Sequence, residues 1–299
     1  MSNIQSVTIA GSGVLGAQIA FQTAFHGFDV TVYDISDEML EKAKAKFQKL
    51  GQTYQQDLGA SPERINQTIE AIRCSSDLNE AIKGADLMIE AIPENPKIKT
   101  AFYKKLGELA PPETIFATNS STLLPSQFAE ATGRPSQFLA LHFANEIWKN
   151  NTAEIMGHKR TDEQVFNTIV DFAESIGMMA LPLHKEQPGY ILNSLLVPLL
   201  TAALELKVKD VAEVETIDKT WMVATGAPLG PFGILDVIGI NTVYNVNKMA
   251  ADKAQDPLKN DMVKYLKESL IDQNKLGVET GEGFYSYPNP TYKDPDFLK

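Results

Sequence analysis

The strand-like run Val7–Ala10 followed by Gly11-Ser12-Gly13-Val14-Leu15-Gly16 constrains the fold more than any other part of this chain. A β-branched run, a G-x-G-x-x-G turn and an apolar helical stretch reaching His26-Gly27 make a strand–turn–helix unit. Gly11 allows the tight turn, Gly13 lets the backbone approach a pyrophosphate, and Gly16 lets helix and strand pack closely. Val14 and Leu15 open the helix, whose N-terminal N–H groups face the anion. The next strand, Val30–Asp34, ends in an acid 18 residues after Gly16. A carboxylate there accepts hydrogen bonds from both ribose hydroxyls and repels a 2′-phosphate, which selects NAD over NADP. Glycines kept only for packing, with Asp34 capping the next helix, would leave the same pattern. Strand, glycines, helix and acid in register favour the cofactor.

Further short β-rich runs follow at Leu87–Ile92, Ile115–Asn119, Phe138–Phe143, Ala153–Met156 and Met179–Leu183, alternating with helical stretches. That alternation predicts an α/β fold of the Rossmann type, doubly wound around a mostly parallel sheet. The polar segment Ser36–Arg73, broken by Gly59-Ala60-Ser61-Pro62, interrupts it and reads as a helix–turn–helix arm projecting from the sheet. After Gln187-Pro188-Gly189 the strand signal stops, and helices are expected at Tyr190–Lys207, Ala212–Val223, Gly233–Met249 and Pro257–Asn274. The expected organisation is a cofactor-binding domain over 1–186 and an all-helical substrate and dimerisation domain over 187–299.

Composition narrows the partners. No uninterrupted run of about 18 apolar residues is present, and Met1-Ser2-Asn3-Ile4-Gln5 has neither a basic patch nor an apolar core, so no membrane span or secretory leader is expected. One cysteine, Cys74, rules out internal disulfides and a Cys-based metal site, and cytoplasm is the default compartment. A formal charge of −11 disfavours nucleic acid and anionic membranes. The four histidines, His26, His142, His158 and His184, show no metal-ligand spacing.

Four polar residues stand at strand ends or at the domain junction. Ser121 follows Ile115–Asn119, His142 closes Phe138–Phe143, Glu154 opens the next strand 12 residues on, and Asn193 lies in Gly189-Tyr190-Ile191-Leu192-Asn193. Ligands of open α/β sheets bind at carboxyl ends of strands, so these positions suit a substrate. Moving a hydride at a carbinol carbon needs a base near the working pH, for which imidazole is the default. A carboxylate on the far ring nitrogen fixes the tautomer, and neutral donors such as Ser and Asn hold the substrate oxygen. Other roles stay open: Ser121 as a helix N-cap before Leu123, Asn193 as a tie between domains, Cys74 as a packing residue.

With these segments the chain resembles the L-3-hydroxyacyl-CoA dehydrogenase family over nearly its whole length. The resemblance is carried by the glycine loop, the arm, Glu90-Ala91-Ile92-Pro93-Glu94-Asn95, the Asn-Ser-Ser and Leu-His-Phe segments, Gly230-Pro231-Phe232 and Thr280-Gly281-Glu282-Gly283-Phe284-Tyr285. Ala117–Ser126 and Asn150-Asn151-Thr152-Ala153-Glu154 are similar to a bacterial diketoreductase branch. The resemblance implies His142 as general acid/base, Glu154 as its partner, Ser121 and Asn193 on the reacting oxygen or carbonyl, Glu94, Lys99 and Asn145 on the cofactor, and a homodimer. The chain departs from the family at Asn145–Asn151, where Asn-Pro and an apolar stretch are usual, and at Glu279, where a lysine is usual. Lys42, Lys46 and Lys49 share one face of the arm and could meet the phosphates of a coenzyme A ester, or form a solvated face. Three functions therefore stand: an NAD-dependent 3-hydroxyacyl-CoA dehydrogenase, a reductase of CoA-free 3-oxo or 3,5-dioxo compounds, and a non-catalytic NAD-binding protein.

Overall fold

The computed structural model describes residues 4–254 and 256–299; Met1–Asn3, part of the segment inspected for a leader, lies outside the described residues. The chain divides into two compact units, Met1–Ile191 and Leu192–Lys299.

In the first unit the glycine motif does what its spacing demands. β1 (Ser6–Ala10) turns at Gly11–Gly13 into α1 (Val14–Phe25), and β2 (Asp29–Tyr33) pairs with β1 in parallel. Two arm helices follow, α2 (Asp37–Leu58) and α3 (Pro62–Glu70), then β3 (Ile72–Ser75), α4 (Leu78–Ile82), β4 (Leu87–Glu90), α5 (Pro96–Leu109) and β5 (Ile115–Thr118). The unit closes with β6 (Phe138–Phe143), β7 (Thr152–Met156), α6 (Glu163–Ser175) and β8 (Met179–Leu183). The sheet order is β3-β2-β1-β4-β5-β6-β7-β8, parallel throughout except for the β6–β7 pair. The chain winds outward in both directions from β1 and β4, so the crevice for a ligand opens at the carboxyl ends of those two strands.

All seven expected strands form, with an eighth, β3, that the sequence reading assigned to the arm. β3 is a four-residue edge strand without a fully buried position, so it leaves little hydrophobic signal. The arm does not simply project. Leu40, Ala43, Phe47, Leu50 and Tyr54 of α2 join the main core, the Tyr54 ring meets Phe21 of α1 edge-on at 4.8 Å, and Trp148 donates to Asp57 at 2.8 Å. Its helices start as their sequence dictates: Ser36 caps α2 through Met39 N–H, Ser61 caps α3 with Pro62 in the first turn, and Gly59 ends α2 in the left-handed region.

The second unit is helical. It holds most of α7 (Tyr190–Val208), then α8 (Val214–Thr225), α9 (Pro231–Ile238), α10 (Ile240–Ala254) and α11 (Pro257–Ser269). The single helix expected over Gly233–Met249 is two, because Gly239 (φ 91°) leaves the helical region after its N–H closes on Leu235. Pro198 is tolerated within α7. With 19 residues α7 is long and apolar enough to cross a membrane by length and composition alone, but Asn193, Glu205 and Lys207 interrupt its apolar run, so it is not the uninterrupted stretch sought in the sequence. Two buried carboxylates organise this unit. Asp218 accepts from Phe232 and Gly233 N–H and from Tyr285, and Asp236 from Phe284 and Tyr285 N–H and from Tyr287. A Cβ on Gly230 would lie 2.2 Å from Asp218 Cγ, and one on Gly283 would lie 2.1 Å from Asp236 Oδ1. The Gly-Pro-Phe and Gly-Glu-Gly-Phe-Tyr motifs are thus cradles for these two acids.

Candidate active site

Gly11 N–H donates to the Tyr33 carbonyl, and Gly11 adopts φ 103°, where a Cβ would also sit 2.5 Å from the Ala91 carbonyl oxygen. At Gly16 a Cβ would lie 2.0 Å from the Gly11 carbonyl oxygen, so only glycine lets α1 pack this close. At Gly13 a Cβ would meet nothing within 4 Å. The backbone there is bare toward the crevice, and α1 begins without a side-chain cap, leaving its N–H groups available. These three environments fit a bound dinucleotide pyrophosphate.

Asp34, one residue past β2, accepts from Ser12 N–H at 2.8 Å and Ser12 Oγ at 2.5 Å, while its other oxygen accepts from Ile35 N–H. It is joined to the glycine loop rather than capping α2, whose cap is Ser36. Lys46 of the arm donates to the Ser12 carbonyl at 2.6 Å.

A cleft of about 370 Å³ runs from the glycine loop to Ser121; it is lined by Gly13, Val14, Leu15 and Gly16 on one side and by Ala91, Ile92, Glu94, Lys99 and Asn119–Thr122 on the other. Beneath it lies a buried ionic network. Glu90, fully buried at the end of β4, accepts from Lys99 Nζ at 2.5 Å, Tyr103 Oη at 2.9 Å and Thr118 Oγ1 at 2.8 Å. Lys99 also pairs with Glu94 at 3.2 Å. Glu94 in turn accepts from the hydroxyls of Ser120 and Thr122 and from Thr122 N–H, holding the turn that carries Ser121. Burial pushes the Glu94 carboxyl up, but the Ser120 bond, the Lys99 charge and the Thr122 bonds outweigh it and hold the group below its ordinary range.

The antiparallel β6–β7 register sets His142 directly opposite Glu154. His142 Nδ1 lies 3.0 Å from Glu154 Oε2, and Nε2 lies 3.0 Å from Ser121 Oγ. Histidine and glutamate are both buried, at 5% and 3% exposure. A carboxylate only accepts, so Nδ1 carries a proton and Nε2 is the nitrogen that can exchange one toward Ser121. The capping role considered for Ser121 belongs to its neighbour: Leu123 N–H donates to Ser120 Oγ.

Asn145 lies outside the lining of the cleft, and its Oδ1 accepts from Gln18 of α1 at 2.9 Å. Asn193 belongs to the second unit. Segment 146–150 is clamped to the arm, with Ile147 buried and both Trp148 and Lys149 on Asp57. Of the arm lysines, Lys42 pairs with Glu38, Lys44 with Glu41, and Lys46 with the glycine loop. Sequence reasoning passed over Ser12, Glu90 and Ser120, and placed Lys46 on a phosphate-facing or solvated stripe rather than on the glycine loop. Glu90 and Ser120 stood inside quoted motifs, and an acid ending a buried strand was the signal to follow.

The family model for the 3-hydroxyacyl-CoA dehydrogenase NAD-binding domain matches residues 6–187, and that for the C-terminal domain of the same family matches 189–287. The chain is 34% identical over 290 residues to the human mitochondrial hydroxyacyl-coenzyme A dehydrogenase, covering 95% of this chain and 91% of that one. It is 32% identical over 285 residues to a probable 3-hydroxybutyryl-CoA dehydrogenase of Deinococcus radiodurans, covering 93% and 99%. A solved structure described as substrate-directed dual catalysis of dicarbonyl compounds by diketoreductase superposes with a TM-score of 0.91 at 54% identity, over 96% of this chain and all of that one.

Proposed function

The chain belongs to the 3-hydroxyacyl-CoA dehydrogenase family, and we propose that it interconverts L-3-hydroxyacyl and 3-oxoacyl compounds through a His142–Glu154 acid–base pair. It is an NAD-dependent oxidoreductase acting on CH–OH groups of a small hydroxyacyl substrate. The observation that carries the acid–base assignment is the Ser121–His142–Glu154 chain, two contacts of 3.0 Å beside the glycine-loop cleft.

Gly11, Gly13, Val14, Leu15 and Gly16 would hold the cofactor pyrophosphate, and Asp34 would take the ribose hydroxyls. Glu94 and Lys99, which line the cleft, would face the rest of the cofactor; the family resemblance gives Asn145 the same role, although it lies outside that lining. When bound, NAD supplies or accepts the hydride at C3 of the substrate. His142 Nε2 takes the hydroxyl proton in oxidation and returns it to the oxygen in reduction. Glu154 keeps Nδ1 protonated and offsets the imidazolium charge. Ser121 would hold the reacting oxygen or the neighbouring carbonyl, the role that the family resemblance also gives Asn193. A non-catalytic binder would have no use for a buried Ser–His–Glu chain.

A second reading has its own support: reduction of 3-oxo or 3,5-dioxo esters and acids that carry no coenzyme A. The diketoreductase likeness at 54% identity favours it, as does an arm whose Lys42, Lys44 and Lys46 are engaged within the chain. Residues 1–186 would carry the cofactor and 187–299 the substrate and dimer contacts of a cytoplasmic homodimer. The exposed Leu195, Val223, Val237 and Met249 supply apolar surface for a second copy. A panel of acetoacetyl-CoA, acetoacetate and its ethyl ester with NADH tests both readings. Turnover of the thioester alone removes the second, turnover of the free compounds alone removes the CoA requirement, and inertness toward all three removes both.

A further inference from the structure

Tyr190 has no part in the chemistry assigned above, yet it and the residue after it contact His142, Glu154 and the turn that leads into Ser121. Its ring stacks on the His142 imidazole with centroids 4.4 Å apart and planes inclined by 12°. Its hydroxyl donates to the carbonyl of Ser120 at 2.7 Å, one residue before Ser121. The N–H of the next residue, Ile191, donates at 2.8 Å to Glu154 Oε1, the carboxylate oxygen that does not face the imidazole. Tyr190 is 1% exposed and holds φ 55°, a left-handed backbone disfavoured for any residue with a Cβ, directly after Gly189 at φ 80°. Sequence, backbone and packing therefore converge on placing this ring against that imidazole.

The two hydrogen bonds of His142 act at opposite nitrogens and both lie near the ring plane. They fix where the nitrogens point but leave the ring free to rock about the axis joining them. A contact above or below the plane restrains that motion directly. We propose that Tyr190 is the positioning residue of His142, its ring face setting the imidazole plane and its hydroxyl fixing the Ser121 turn against the same ring. The proposal rests on the acid–base reading of His142. The groups facing the imidazole are Glu154 from β7, Ser121 from the turn after β5, and Tyr190 itself. Burial, then the charges of Glu154, Glu94 and Glu90, push the Tyr190 phenol far above its ordinary range, so it stays a hydroxyl donor.

Tyr190→Phe keeps the ring and removes the tether to Ser120; Tyr190→Leu removes both. Tyr190→Met, which refills the space with a flexible chain, replaces Leu if that variant lowers the melting temperature. The measurements are kcat, KM and NADH affinity, in the wild type and in a His142→Ala background. Tyr190→Leu should lower kcat roughly 10–100-fold, as expected for a misaligned reacting group, with KM and NADH Kd within about 3-fold. Tyr190→Phe, which keeps the ring face, should retain most of the activity. In the His142→Ala background Tyr190→Leu should cost nothing further. An equal loss with and without His142, or a loss carried by KM rather than kcat, overturns the positioning role while leaving the acid–base reading intact. Full activity of His142→Ala overturns that reading and the proposal together.

Discussion

Glu154 faces His142 directly across the β6–β7 pair, with Oε2 3.0 Å from Nδ1. This is the one antiparallel step in an otherwise parallel sheet. An antiparallel neighbour places opposed side chains of two strands on the same face at close range, so the reversal builds the dyad without any loop.

His142→Ala should lower kcat roughly 10²–10⁴-fold, the span of a positioned acid or base, with NADH affinity nearly unchanged because the glycine loop is untouched. Glu154→Gln should act through the same imidazole, so the double mutant should lose far less than the product of the single losses. Steady-state rates of the three variants decide it; independent, fully multiplicative losses break the dyad.

Asp34→Ala should weaken NADH binding and narrow the preference for NADH over NADPH, because the repulsion of a 2′-phosphate goes with the carboxylate. Asp34 also receives both donors of Ser12, so part of the NADH loss comes from a loosened glycine loop. Ser12→Ala separates the two effects: it should weaken NADH and NADPH alike. The check is fluorescence titration with both cofactors, and a wild type that prefers NADPH contradicts the reading of Asp34.

The Glu94 carboxyl is held below its ordinary 4.5, despite burial, by the Ser120 hydroxyl, the Lys99 charge and Thr122. A carboxyl depressed by folding contributes stability that is fully present above the unfolded value and lost as pH falls through the folded one. The melting-temperature gap between wild type and Glu94→Gln should therefore be constant near neutral pH and close in acid. A gap that does not change with pH would show that shape, not charge, holds the Ser121 turn.

Gly283→Ala should cost more than about 3 kcal/mol, the scale for breaking a buried hydrogen-bonded carboxylate site. The added Cβ would fall 2.1 Å from Asp236 Oδ1, which already accepts from Phe284 N–H. Thermal melting reads the loss directly. Gly59→Ala is a useful contrast, since a Cβ there meets nothing within 4 Å and only its positive φ resists.

What could be read in advance follows from the range of the interactions. The glycine loop and Asp34 sit on one strand–turn–helix–strand unit, and local spacing alone locates them. His142 and Glu154 were readable as strand-end residues, but their opposition depends on a strand reversal that periodicity does not encode. Tyr190 looked like one more apolar helix residue, because nothing local says which ring a tyrosine will meet. The arm misled for a related reason. Its polar composition hid an inner face of Leu40, Phe47 and Tyr54 that belongs to the main core, and β3 was too short and too little buried to stand out from it.

The last prediction concerns the acyl carrier. A coenzyme A ester brings several phosphate charges to a chain of formal charge −11, and the arm lysines were the natural landing site. Lys42 is instead paired with Glu38, and Lys46 donates to the Ser12 carbonyl of the glycine loop. Reversing all three charges would therefore mix a cofactor effect with a substrate effect, and the informative variants keep them apart. Lys42→Glu/Lys49→Glu should leave the KM for acetoacetyl-CoA and its salt dependence within about 2-fold of wild type, since Lys42 is already paired with Glu38 and both cations are exposed to screening solvent. Lys46→Met should raise the NADH Kd by roughly 5-fold, the loss of one hydrogen bond, and leave the KM for the ethyl ester of acetoacetate unchanged. A selective rise in the thioester KM for Lys42→Glu/Lys49→Glu, with a flattened salt dependence, would show instead that the phosphates dock on the arm.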